Sequence, residues 1–260
     1  MTGFTYQNPV KVIFGAGTLA QAGDEAKKLG TRAFVVSYSD GSVTAALTRI
    51  KGLLETAGVT SQMFLEVVPN PPIEMVARGV EQAKSFGADL VIGVGGGSAM
   101  DAAKVIAAGV LYTHGDLWDM VYASHSHVTA RRPEAALPLL LIPTLPATGS
   151  EMNMCAGVSS TERKQKGYVW ANCLFAKTAL LDPELTYTLP AFQTACGSVD
   201  AISHVLKIFV NGQPKSDLLH EFQLGIIEGV KTVSFNADGV LASDPPVPAE
   251  ALATILKMAL

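Results

Sequence analysis

The stretch Val91-Ile92-Gly93-Val94-Gly95-Gly96-Gly97-Ser98-Ala99-Met100-Asp101-Ala102-Ala103-Lys104 constrains the fold more than any other part of the chain. A short apolar run ends in a glycine cluster, and the cluster opens a helix of small residues. Glycines let a backbone approach an anion without Cβ clashes. A helix N-terminus adds unpaired N–H groups with a partial positive charge. The layout is that of a phosphate cradle, although its spacing is neither G-x-G-x-x-G nor that of a P-loop. Similar turns also occur in α/β proteins that bind no phosphate.

The strand-then-helix unit recurs along the first two thirds of the sequence. Residues 10–14, 33–37, 63–67, 90–94, 139–143 and 179–181 read as strands. Residues 18–29, 43–57, 73–86 and 98–109 read as helices. Gly30, Gly58 and Gly87 stand where these helices stop, with Gly30 read as a C′ glycine. Such alternation with short connections predicts a doubly wound parallel sheet covered on both faces. Residues 114–134 read as a polar surface loop with a short helical piece, and 158–166 as a charged hairpin tip. Near Pro183 the pattern changes. Residues 190–210 and 217–233 read as helices with no strand between them. A last helix from about Pro248 runs to Leu260 without a cap or stop signal. The expected organisation is an α/β domain over 1–183 and, over 184–260, the first part of an all-α domain that is incomplete here.

Hydrophobic residues make up 48% of the 260 and charged residues only 16%, which suits a large α/β protein with buried interfaces. The net charge of −4 gives no reason to expect nucleic acid or acidic membranes as partners. The N-terminus carries no signal peptide pattern, and no apolar run is long enough to span a bilayer. Cys155, Cys173 and Cys196 form no zinc-like cluster, and their odd count and wide spacing suit a reducing compartment. The expected location is the cytoplasm.

Two further groups of residues could carry chemistry. The loop Thr144-Leu145-Pro146-Ala147-Thr148-Gly149-Ser150-Glu151 follows an expected strand. In a doubly wound sheet it lies beside the cradle, where it either completes a ligand pocket or is an ordinary Pro/Gly/Ser turn. Asp200 and His204 are four apart in an expected helix and share a face. They can be two ligands of a divalent metal, or a surface pair; a protein metal site ordinarily uses three or four ligands. His125 and His127 lie in the polar loop, His114 in a turn and His220 near a helix start; all read as solvated. No serine sits in a nucleophile-elbow glycine pattern.

In combination these elements are far more specific. Gly95-Gly96-Gly97-Ser98-Ala99-Met100-Asp101-Ala102-Ala103-Lys104 comes first, then Leu145-Pro146-Ala147-Thr148-Gly149-Ser150-Glu151-Met152-Asn153. Leu181-Asp182-Pro183-Glu184-Leu185-Thr186-Tyr187-Thr188-Leu189-Pro190 and Asp200-Ala201-Ile202-Ser203-His204 follow in that order. The chain resembles the iron-containing (group III) alcohol dehydrogenases, nearest the NADPH-dependent butanol dehydrogenase and aldehyde reductase branch, from Phe14-Gly15-Ala16-Gly17 onward. The resemblance implies a dehydroquinate synthase-like architecture, a homodimer with an N-terminal strand near Tyr6 at its interface, and hydride transfer with small primary alcohols or aldehydes. It implies that Gly96, Gly97 and Ser98 hold the cofactor pyrophosphate, and that Asp101 lies near nicotinamide and substrate. Thr144, Leu145 and Ser150 would line ribose and nicotinamide, and Lys166 would reach the cofactor. Asp200 and His204 match the first two metal ligands, with His204 and Asp101 as catalytic residues. Iron is the implied metal; a carboxylate and an imidazole also accept zinc. Two departures stand out. The remaining ligand histidines of the family fall beyond Leu260. Lys207 also replaces an acidic residue one turn after His204, where a positive charge facing the site would repel a cation.

Cofactor choice rests on the loop after the second strand, Ser37-Tyr38-Ser39-Asp40-Gly41-Ser42. Tyr38 stands where NAD-type relatives place an aspartate. Ser39, Gly41 and Ser42 resemble the small, hydroxyl-rich loop of NADP-type relatives. The expected cofactor is therefore NADP, with NAD as the alternative, and Asp40 disfavours a 2′-phosphate if it points inward. Two other functions stay open: a nucleotide-binding remnant without turnover, and a glycerol dehydrogenase-like relative on the same scaffold.

Overall fold

The computed structural model describes residues 7–123, 130–210 and 223–227, together with Val240–Leu241 and Val247–Pro248. Two compact units are present. One comprises the described residues of Asn8–Thr144 and Gly149–Tyr187; the other comprises Gln7, Leu145–Thr148 and the described residues from Thr188 onward.

In the first unit, β1 (Lys11–Phe14), β2 (Arg32–Val36), β3 (Thr60–Phe64), β4 (Leu90–Gly95), β5 (Leu139–Pro143) and β8 (Thr178–Leu181) form one sheet in the order β1-β8-β5-β4-β2-β3. Every pairing is parallel. The central strands β4 and β5 are buried at every residue, as strands covered on both faces must be. Alternate residues of one strand feed opposite cores. Phe34, Val36, Val91, Leu139 and Leu141 pack toward α3 (Ile73–Phe86) and α4 (Gly97–Leu111). Ala33, Val35, Leu90, Ile92, Val94, Leu140 and Ile142 pack toward α1 (Ala22–Leu29) and α2 (Gly41–Thr56). The doubly wound parallel sheet expected from the sequence is present.

α4 is apolar nearly all round because it is covered beyond the sheet as well, by α3 and by an antiparallel hairpin of β6 (Cys155–Ser160) and β7 (Gln165–Trp170). The charged turn expected over 158–166 is the tip of this hairpin. Glu74, near the start of α3, fastens it. Its carboxylate accepts from the Ser160 hydroxyl (2.6 Å) and from the amides of Thr161 and Glu162 (3.5 Å each).

Three local expectations are corrected. Gly30 is not a left-handed C′ glycine: its φ of −178° is extended. The physical reason for glycine there is space, since a Cβ would lie 2.3 Å from an Asp89 carboxylate oxygen. β3 starts three residues earlier than expected, because Gly58 (φ 71°) turns the chain and Thr60 then pairs with Arg32. The start of the helix expected over 18–29 is a 3-10 turn, Thr18–Gln21.

In the second unit, α5 (Ala191–Val210) is the expected helix, and residues 223–227 are helical. Val240–Leu241 pairs with Val247–Pro248 as a short antiparallel ribbon, within the part expected to belong to an all-α domain. The remainder of the helices expected over 217–233 and from Pro248 lies outside the described residues, as do Tyr6, His125, His127 and His220.

Candidate dinucleotide site

In the sheet order, the chain runs outward from β2 to β3 and then returns to the other side of β2 as β4. The carboxyl ends of β2 and β4 therefore flank a topological switch point, where open α/β sheets bind ligands. Tyr38 follows β2 there, and the glycine cluster follows β4.

Gly95 has φ +139°, and a Cβ on it would stand 2.7 Å from the Tyr38 ring and 2.9 Å from the Ala99 Cβ. Gly96 is the N-cap of α4 and supplies no side-chain cap. Gly97 and Ser98, half-buried, make the first turn. Such a helix start offers its orphan N–H groups to an anion, so the cradle fits a cofactor phosphate. The Tyr38 hydroxyl accepts from the Gly96 amide (3.3 Å) and shares a hydrogen bond with the Thr144 hydroxyl (3.3 Å). The Thr144 amide in turn donates to the Gly95 carbonyl (3.0 Å). Tyr38 therefore stands over the cradle.

Ser39, Asp40, Gly41 and Ser42 are exposed at the mouth. Asp40 is the N-cap of α2 and accepts from the Ser42 amide (2.9 Å) and from the Ser42 hydroxyl. A small apolar groove of about 210 Å³ opens beside them, lined by Tyr38, Ser39, Thr44, Leu47, Met63 and Leu65 among others.

One turn into α4, the half-buried Asp101 carboxylate accepts from the Ser150 hydroxyl (2.7 Å) and from the Gly157 amide (2.8 Å). Burial pushes this carboxyl above its usual range. The two hydrogen bonds and the charges of Lys104 and Lys166 offset that only in part. Lys104 is fully buried, and burial brings its ammonium down to about 8.

Asn70 is a site residue that sequence reasoning missed. Its amide donates to the Ser98 hydroxyl (3.2 Å), and its side-chain oxygen accepts from Lys166 (2.7 Å). It holds φ +52°. The signal was an asparagine between prolines, Pro69-Asn70-Pro71-Pro72, since asparagine tolerates the left-handed region that turns need.

Tyr38, Gly96, Gly97, Ser98, Asp101, Thr144, Ser150 and Lys166 thus meet in one unit at one end of the sheet. The remaining residue of the loop is Leu145. It belongs with Pro146, Ala147 and Thr148 to the second unit, in which that strap packs on α5 at Gly197; a Cβ there would lie 2.6 Å from the Pro146 carbonyl oxygen. Asp200 and His204 also belong to the second unit. They lie 3.7 Å apart on α5, both about half exposed, with Lys207 exposed one turn on. Among the described residues no group of three His, Cys, Asp or Glu could hold a metal. Two donors fit one side of a metal centre and fall short of the three or four that a protein site uses.

The family model for iron-containing alcohol dehydrogenases matches residues 9–183. The chain belongs to the iron-containing alcohol dehydrogenase family. Within it, NADH-dependent butanol dehydrogenase A of Clostridium acetobutylicum is 40% identical over 214 residues, covering 82% of this chain and 53% of that protein. Probable NADH-dependent butanol dehydrogenase 1 of Bacillus subtilis is 38% identical over 227 residues, covering 85% and 56%. The crystal structure of NADH-dependent butanol dehydrogenase A from Thermotoga maritima superposes with a TM-score of 0.81 at 36% identity, covering 89% of this chain and 57% of that one. The chain therefore spans about half the length of the curated relatives it matches, and what it aligns with is the N-terminal part of the dehydroquinate synthase-like family fold. No helix among the described residues is long and apolar enough to cross a membrane.

Proposed function

We propose that this chain carries the dinucleotide-binding part of a nicotinamide-dependent alcohol dehydrogenase or aldehyde reductase acting on small primary alcohols or aldehydes. The observation that carries the reading is the uncapped, glycine-opened start of α4 at the switch point, with Asp101 hydrogen-bonded one turn beyond it. Bound there, the cofactor supplies or accepts a hydride. The chain's own part is to bind and orient. The amides of Gly96, Gly97 and Ser98 hold the pyrophosphate. Asn70 and Lys166 form a polar wall beside Ser98. Tyr38, bonded to the Gly96 amide and the Thr144 hydroxyl, stands over the cradle. Asp101, kept in place by Ser150 and Gly157, faces the nicotinamide end. Asp200 and His204 would supply two of the ligands to the divalent metal, iron by family and zinc as the alternative.

NADP was the sequence expectation, and two observations favour NAD instead. Asp40 caps α2 in the loop after the second strand, and a carboxylate held there would repel a 2′-phosphate. The two curated relatives above are named NADH-dependent. Three free cysteines fit a cytoplasmic protein, and a homodimer is the family expectation.

The test is fluorescence titration of the chain with NADH and NADPH, read through Trp118 and Trp170. NADH is expected to bind about tenfold or more tightly than NADPH, and Asp40→Gly to close that gap. Absence of binding by either nucleotide overturns the reading. Oxidation of NADH with butyraldehyde, with and without ferrous ion, then separates dehydrogenase from cofactor binding without turnover.

A further inference from the structure

Lys104 is the one lysine among the described residues that is buried outright, and it has no part in the proposed binding of the cofactor. It makes no ion pair with any described residue. Its ammonium donates to the Asn153 carbonyl (2.8 Å), the Asn153 side-chain oxygen (3.0 Å) and the Cys155 carbonyl (2.8 Å). An ammonium has three N–H donors, and here each has an acceptor. Burying such a charge is costly, and a leucine or methionine would suit the apolar surroundings of α4 better.

The acceptors explain its presence. Asn153 ties the same segment together: its side-chain nitrogen donates to the Gly149 carbonyl (2.9 Å), and its side-chain oxygen also accepts from the Cys155 amide (2.9 Å). The knot therefore spans Gly149 to Cys155. The two donors to Asp101 lie on this segment or directly beyond it, the Ser150 hydroxyl inside the knot and the Gly157 amide two residues past Cys155. Lys104 and Asp101 are three apart on α4 and so lie on one face of it. One helix thus carries the carboxylate and also the cation that holds the carboxylate's donors.

We propose that Lys104 is a positioning residue of the candidate site, pinning the Gly149–Cys155 segment so that Ser150 and Gly157 converge on Asp101. Its place in the reaction rests on Asp101 facing the nicotinamide; the pinning itself does not.

Amide hydrogen exchange of the whole chain, resolved by NMR, tests it. In Lys104→Met the Cys155 and Gly157 amides should exchange at least about tenfold faster, while those of Val91, Ile92 and Val94 in β4 keep their protection. A uniform change across both groups, as a merely core-filling lysine would give, overturns the proposal, and so does no change at Gly157. If Lys104→Met does not fold, Asn153→Ala loosens the same knot from the loop side: it removes the side-chain oxygen that Lys104 and the Cys155 amide share and the bond to Gly149, while Lys104 keeps its two carbonyl acceptors. It must then release the Gly157 amide, and an unaltered Gly157 overturns the proposal. NADH titration of the same variants should show weakened binding alongside the loosened amides. If the unsubstituted chain does not bind NADH, the proposed function fails while the exchange data still decide the role of Lys104.

Discussion

Gly95 occupies a backbone conformation that L side chains rarely adopt, and a methyl group there would run into both the Tyr38 ring and the Ala99 Cβ. Strain and overpacking add, so Gly95→Ala should cost about 2–4 kcal/mol in urea unfolding and abolish NADH binding even where the variant still folds. A variant that keeps native stability and nucleotide affinity would mean that the cradle geometry is not needed. The glycine cluster itself was legible in the sequence, because a strand, glycines and a small-residue helix is a local pattern. What Tyr38 does there was not. Sequence placed it at a cofactor-selecting position, whereas its hydroxyl meets the Gly96 amide across 58 residues of chain.

At the scale of elements, the Leu181-Asp182-Pro183 segment that helped to carry the family resemblance serves the fold. Asp182 is buried, and its carboxylate accepts from the amides of Gly17 (3.1 Å), Leu19 (2.9 Å) and Glu184 (3.1 Å). It ties the end of β8 to the turn after β1, the strand beside it. Asp182→Ala leaves the buried Leu19 amide and the half-buried Gly17 amide without that acceptor and should lower stability by about 2–4 kcal/mol, while the NADH affinity of the folded fraction stays within about twofold. Chemical unfolding with parallel NADH titration checks both. Helices α2 and α3 were legible because a cap, a proline and following glycines mark their ends locally, whereas α4 runs through Gly109, the end expected from sequence, to Leu111. Gly30 was misread for the complementary reason: its glycine answers to Asp89, a residue on a different loop, and no local pattern records that.

At the scale of the molecule, acid sensitivity follows from three carboxylates among the described residues. At Glu25 burial pushes the pKa up, but Lys11 and Lys28 outweigh it and hold the group below its ordinary value. At Glu74 the hydroxyl of Ser160 and nearby amides outweigh burial, and at Asp89 the amides of Thr31 and Arg32 do the same. Each binds fewer protons folded than unfolded, so its stabilisation is present above the ordinary carboxylate range and is lost as pH falls through the folded values. Asp101 has the opposite sign. Its raised value favours the fold at low pH, and that contribution is lost as pH rises through the folded value. Three such groups against one should make stability fall steadily from pH 6 to pH 3 in urea unfolding; a flat or rising profile would contradict the assignment.

The sequence alone determined the alternation of strands and helices, the glycine-opened start of α4, the hairpin tip and the family, because each rests on order and spacing along the chain. Tertiary structure decided which loops share a space. It brought Asn70 to Ser98 and Lys166, set Lys104 against Asn153 and Cys155, stood Tyr38 over Gly96, and placed Leu145 in a different unit from Thr144. Parallel strands join elements far apart in sequence, so the partners of a buried polar group at their ends come from distant loops, and only the closed sheet determines which.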